Sequence, residues 1–200
     1  NLDIDGSGGN TGTMSRGVHM GGLITLESAG GNITIDGTGG GGATGMFGVG
    51  TELVAVNMDT TGAGTITLTG TGNAGAMGNI GLKLAGASSA TTENGNITLK
   101  GTGNGTTLMN HGVQIAAVTG LESTGGGAIT IEGTARGGGS LMNFGVEISG
   151  FSTARVKDGD LTVKGTGGGT LSMGRGVVLG VGTLGSSGGG NILVEGTGST

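Results

Sequence analysis

One phrase constrains the fold of this 200-residue chain more than any other: Gly95-Asn96-Ile97-Thr98-Leu99-Lys100-Gly101-Thr102-Gly103. It recurs, for example as Asn32-Ile33-Thr34-Ile35-Asp36-Gly37-Thr38-Gly39 and as Asp160-Leu161-Thr162-Val163-Lys164-Gly165-Thr166-Gly167. The copies start at residues 1, 32, 65, 96, 128, 160 and 191, so the intervals are 31, 33, 31, 32, 32 and 31. Within each copy, apolar and polar residues alternate with period two and a glycine turn follows, which reads as a short strand. A unit this small cannot bury its apolar side alone. Copies at a fixed interval bury it by stacking, which is the logic of a solenoid.

The inward pairs are Leu2/Ile4, Ile33/Ile35, Ile66/Leu68, Ile97/Leu99, Ile129/Ile131, Leu161/Val163 and Ile192/Val194. In a parallel stack, equivalent positions lie ~4.8 Å apart and become aliphatic ladders. A glycine-rich corner follows, where glycine supplies positive φ or lets backbones approach closely. A second phrase then appears, as in Leu108-Met109-Asn110-His111-Gly112-Val113-Gln114-Ile115. Its central glycine sits 16 residues after the copy start in five coils and 17 in one, with Gly48 taken for the degenerate Met46-Phe47-Gly48-Val49. Looser third segments include Leu23-Ile24-Thr25-Leu26, Leu53-Val54-Ala55-Val56 and Val118-Thr119-Gly120-Leu121, with Ala85-Gly86-Ala87-Ser88-Ser89 weaker.

Three short strands per ~31 residues predict an all-β parallel β-helix of six full coils and a partial seventh. Right-handed winding is the default for such connections. A β-sandwich is the alternative for strands at this density, but it does not explain the fixed interval. Residues 1–200 read as one solenoid segment of a longer chain, since residue 1 already lies inside a strand.

Composition narrows the function classes. Glycine, at 55 residues, would suggest disorder if it were aperiodic, but here it is periodic and proline is absent. The net charge is −5 with 8 Lys+Arg, and there are three Phe and no Tyr or Trp. That leaves neither the basic face nor the stacking platforms of a nucleic-acid partner. No apolar run reaches transmembrane length and no stretch reads as a secretion signal. The absence of cysteine excludes disulfides and thiolate metal sites, and suits surface proteins that cross membranes unfolded.

Chemistry-bearing candidates each have a simpler reading. The outward column Asp5, Asp36, Thr69, Lys100, Glu132, Lys164, Glu195 reads as exposed ion pairs that also resist register slips. Asp5 and Asp36, with Asp3 nearby, are a weak candidate calcium site or a glycosidase-like carboxylate pair. No cleft-building loop supports catalysis, and no cofactor is expected. His19 and His111 fall at different phases and read as scattered surface residues. Gly37-Thr38-Gly39-Gly40-Gly41-Gly42 matches a dinucleotide-binding pattern only formally, because no helix follows. Met14, Met46, Met77, Met109, Met142 and Met173 share nearly one phase. They are expected to form a core ladder, with a copper-binding stripe as the alternative. Asn79, Asn110 and Asn143 read as a hydrogen-bonded corner ladder. Two threonine files, Thr34/Thr67/Thr98/Thr130/Thr162 and Thr38/Thr71/Thr102/Thr134/Thr166/Thr197, suggest an ice-binding face. They lie four residues apart with charge between them and the second in the turn, which weakens that reading.

The phrases Gly-Asn-Ile-Thr-Ile/Leu-x-Gly-Thr-Gly and Gly-Val-x-Ile resemble the repeats of filamentous-haemagglutinin-like adhesins and autotransporter passenger domains. The resemblance spans the whole chain. It implies a non-enzymatic, secreted bacterial cell-surface rod that presents or spaces binding regions for surface glycans or for proteins of host or neighbouring cells. A self-assembling filament or sheath subunit, whose partner is another copy or flanking coils end to end, is the structural alternative. An ice-binding protein and a polysaccharide-active enzyme are minor ones.

Overall fold

The computed structural model describes residues 1–137, 142–169 and 173–199. Among them there is no helix, and the strands stack in parallel into a β-solenoid of about six turns. The first face is a seven-stranded sheet of Leu2–Ser7, Ile33–Thr38, Ile66–Thr71, Ile97–Gly103, Ile129–Ala135, Leu161–Thr166 and Ile192–Thr197, in that spatial order. Its register joins the repeat equivalents directly: Ile33 pairs with Ile66, Ile66 with Ile97, and Ile97 with Ile129. Each strand runs on through the Gly-Thr pair. Thr38 and its equivalents therefore stand on the sheet rather than in the turn.

The second and third strands of successive coils also stack. Leu82–Ala85, Val113–Ala116, Val146–Ser149 and Val177–Leu179 form one face, and Ser89–Thr92, Gly120–Ser123, Ser152–Val156 and Gly182–Ser186 form the next. In the first two coils these segments fuse into single long strands, Val18–Ser28 and Thr51–Thr60. Each then pairs with its neighbours on both faces, so the two faces join into one sheet. Where the corner is sharp, residues with φ near +60° turn the chain: Gly86 and Ala87, Ala117, Gly150 and Phe151. In the first coil, Gly22 and Leu23 oppose the single Ala55, a bulge that pushes Leu23 into solvent.

The inward ladders are buried as the alternation predicts. Ile33, Ile35, Ile66, Leu68, Ile97, Leu99, Ile129, Ile131, Leu161 and Val163 face Leu53, Leu82, Leu84, Val113, Ile115, Val146, Ile148 and Leu121 in one continuous core. Each such side chain contributes about 1.5–3 kcal/mol relative to exposure. Beyond this core the cross-section pinches. The glycines of the first strand, such as Gly101, meet the backbone of the glycine ahead of the second strand, here Gly112. The same contact recurs at Gly37/Gly50, Gly70/Gly81, Gly133/Gly145 and Gly165/Gly176. There is room there for two backbones and nothing else. These glycines are needed for close approach; none of them has positive φ.

The pinch also fixes the register of the second coil, and it differs from the sequence expectation. Gly50, not Gly48, is the central glycine, because Val18 pairs with Thr51 and Thr51 with Leu82. Two additional residues in the glycine corner of that coil displace the phrase. Leu53 accordingly belongs to the second strand, where it pairs with Met20 and Leu84.

Past the pinch, asparagines fill the corner. Asn110 Oδ1 accepts from the Asn79 backbone N–H at 3.0 Å, and Asn143 Oδ1 accepts from the Asn110 N–H at 3.0 Å and from its amide at 3.2 Å. Asn79 Oδ1 accepts from the Gly48 N–H at 2.9 Å. The expected amide ladder is present, and it satisfies backbone donors that have no strand partner. At the next corner Ser88 and Ser152 do the same, accepting from Val56 and Val118 one coil earlier, at 3.1 Å each.

Candidate functional surfaces

Function on such a rod must come from the outward columns, and the register defines them. On the first face Lys100 pairs with Glu132 and Lys164 with Glu195, each at 3.0 Å and half-exposed. Such pairs are worth ~0–1 kcal/mol each. Asp5 and Asp36 are register partners on the same face, and Asp3 pairs with Thr34. All three carboxylates are exposed, and among the described residues no three His, Cys, Asp or Glu side chains gather as metal ligands.

The second face carries a cluster that inspection of the sequence missed. Its outward column runs His19, Glu52, Lys83, Gln114, Glu147, Val178. Glu52 is buried although it faces outward. Arg16 Nε contacts its carboxylate, His19 Nδ1 lies 3.1 Å away, and Lys83 Nζ donates at 3.0 Å. Burial alone would raise the Glu52 carboxyl; the hydrogen bond and charge of Lys83, followed by those of Arg16, hold it below its ordinary value of 4.5. The cluster staples the first three coils. It was hidden because it depends on Gly50 being the central glycine, which alone aligns Glu52 with His19 and Lys83.

His111 is buried, contrary to the expected surface position. It precedes the central glycine, where equivalent coils carry Ile80, Phe144 and Arg175. Its ring packs against Phe144, tilted by 38° with 5.1 Å between centroids, and the Arg175 guanidinium lies 5.9 Å over the same Phe144 ring. Burial pushes the His111 imidazole below its ordinary 6.5, with the Glu147 charge pulling the other way. The folded chain therefore binds this proton less well than the unfolded chain. That contribution to stability is complete above pH 6.5 and is lost progressively below it. Glu52 adds a second loss, as the pH falls below 4.5. The thermal midpoint, followed by far-ultraviolet circular dichroism, should fall between pH 7.5 and 5.5 and again toward pH 4. His111→Ile, the residue type of the preceding coil, should remove the first step and leave the second. A wild-type midpoint flat down to pH 5 would contradict the assignment.

The methionines do not form a core ladder. Met14, Met109, Met142 and Met173 each stand three residues before a central glycine with positive φ, as does Phe47, and all five are substantially exposed. Met46 and Met77 precede this file by one residue in their coils and are half-buried. The shared phase of the other four marks a corner, not the interior.

On the third face, Glu122, Arg155 and Gly185 are register partners. A shallow groove of about 470 Å³ opens there between Thr124, Lys157, Thr183 and Ser187. Arg155 forms no ion pair among the described residues. No helix among those residues is long and apolar enough to cross a membrane.

No family model matches the chain, no curated protein matches it and no solved structure matches it. The fold stands on the repeat and its register.

Proposed function

We propose that this chain is a non-enzymatic structural rod of the bacterial cell surface, adhesin-like, which spaces or presents binding regions to surface glycans or to proteins of neighbouring cells. The observation that carries this reading is the division of labour within each coil. Inward positions, glycine contacts and corner amides are consumed by stacking, whereas the outward columns change from coil to coil. A solenoid built this way offers extended faces and fixed spacing, the attributes of repeat proteins that bind over large surfaces. The concavity at Arg155 is open and shallow, unlike the enclosed pockets of small-molecule enzymes.

The test is retention of cells and of purified surface polysaccharides on immobilised chain. Retention is expected to fall when outward residues of the third face are replaced together (Glu122→Ala, Arg155→Ala, Lys157→Ala) with the thermal midpoint unchanged. Retention of nothing, or retention indifferent to all three outward faces, would overturn the reading.

In the filament alternative, copies stack end to end so that the Ile192–Thr197 strand of one meets the Leu2–Ser7 strand of the next. Stacking these strands in the repeat register would, however, set Glu195 against Asp5 and Leu193 against Asp3. Elongation under electron microscopy should therefore occur only at high salt, where like charges are screened. Monomers at high concentration in both low and high salt would remove this alternative.

A further inference from the structure

The corner that carries the methionines is unusual on two counts. An L-residue with φ near +60° is uncommon outside glycine, asparagine and aspartate, and a large apolar side chain in solvent is unfavourable. Yet Met14, Phe47, Met109 and Met142 hold φ of 63, 58, 60 and 58°, and Met173 holds 96°. Met109, Met142 and Met173 expose 39, 43 and 47% of their surface. The backbone itself does not ask for methionine. At the corner between the second and third strands, the same conformation is taken by Ala55, Ala87, Ala117 and Phe151, with no sulfur among them. What separates the two corners is the thioether.

Thioether sulfur is a soft, uncharged ligand that selects Cu(I) and comparable cations over hard ones. Met109, Met142 and Met173 lie on three successive coils, as the bonds from Gly112 N–H to Phe144 C=O and from Gly145 N–H to Arg175 C=O show. Equivalent atoms on successive coils are ~4.8 Å apart. Two metal–sulfur bonds in line, each of the ~2.3 Å length that zinc makes to cysteine sulfur, would place their sulfurs about 4.6 Å apart. The pitch of the solenoid thus matches the span of a two-coordinate soft cation, and three rotatable bonds per side chain let a third sulfur close in. The chain has no cysteine to compete for such an ion, and its net charge of −5 favours a cation. Arg175, two residues beyond Met173, weakens that end of the file, so Met109 and Met142 are the primary pair.

We propose that Met109 and Met142, with Met173 as third ligand, bind a soft monovalent cation, Cu(I) or Ag(I), at this corner. The experiment titrates the full chain, labelled with methyl-13C methionine, with Ag(I) and with Cu(I) under ascorbate. The methyl resonances of Met109, Met142 and Met173 should shift within the first equivalent, while that of the buried Met58 stays in place. Met142→Leu keeps the apolar bulk and removes the sulfur; it should lower Ag(I) affinity about tenfold or more with an unchanged thermal midpoint. Met14→Leu, separated from the trio by Phe47 and Gly78, should leave the affinity unchanged. Absence of methyl shifts at one equivalent, equal affinity in Met142→Leu, or a response at His19 in place of the thioethers would overturn the proposal.

Discussion

Replacing Gly112 by alanine should destabilise the solenoid by roughly 3 kcal/mol or more, at the upper end of what overpacking costs. A Cβ there would sit against the Thr134 backbone nitrogen and 2.6 Å from both the Gly133 carbonyl carbon and the Gly145 carbonyl oxygen. All three atoms belong to backbone of the following coil, which is held by the bonds of its own ladder. Gly133 and Thr134 pair on both sides, with Gly101 and Thr102 before and with Gly165 and Thr166 after. No rotamer change relieves such a contact; a strand must move, and its neighbours with it. The right control is Gly126→Ala, where a Cβ would meet nothing within 4 Å and φ is not positive. It should stay within about 0.5 kcal/mol of the parent. Denaturant unfolding of the two variants side by side measures the contrast. Equal midpoints would mean that the pinch does not hold the two sheets together. Because each coil touches only its neighbours, the loss should centre on the fourth and fifth coils, and hydrogen exchange should accelerate there first.

The inward half of this fold was readable directly. Ile97 and Leu99 alternate with Thr98 and Lys100, and burial follows that alternation in every copy of the first strand that has a coil on each side. Glycine at fixed phase signalled close approach, and Asn79, Asn110 and Asn143 signalled a ladder. What failed has physical causes. The second coil lost its cue because Thr51 stands where its neighbours carry Val18 and Leu82, so Gly48 looked central. With that register wrong, Glu52 could not be placed between His19 and Lys83, and a buried carboxylate is invisible unless its cations are aligned. His111 sits at a phase whose burial is decided by the pinch, a tertiary feature absent from local alternation. The methionines share nearly one phase, but phase does not say which side of a corner a side chain takes. Positive φ sends it outward.

Asn110→Ala should cost roughly 3 kcal/mol, from an orphaned donor at about 1–3 kcal/mol plus the volume removed. The Asn79 N–H points at Asn110 Oδ1 from within a coil whose equivalent position is fully buried, so water has no ready access to replace the acceptor. The Asn110 N–H keeps its own partner, Asn143 Oδ1, because that bond starts from backbone. The two amides therefore separate the mechanism from general loosening. In native-state hydrogen exchange, the Asn79 amide should lose protection in the variant while the Asn110 amide retains it. Loss of both would assign the effect to collapse of the corner. Asn110→Asp supplies the acceptor but buries a charge beside Asn143 Oδ1, 3.2 Å from where the Asn110 amide now donates. A buried carboxyl facing an oxygen is favoured in its protonated form. The aspartate variant should be weaker than the parent at pH 7 and narrow the gap as the pH falls toward 5, whereas the alanine variant should keep a constant gap. A ladder whose role was only to fill space would show no difference between the two amides.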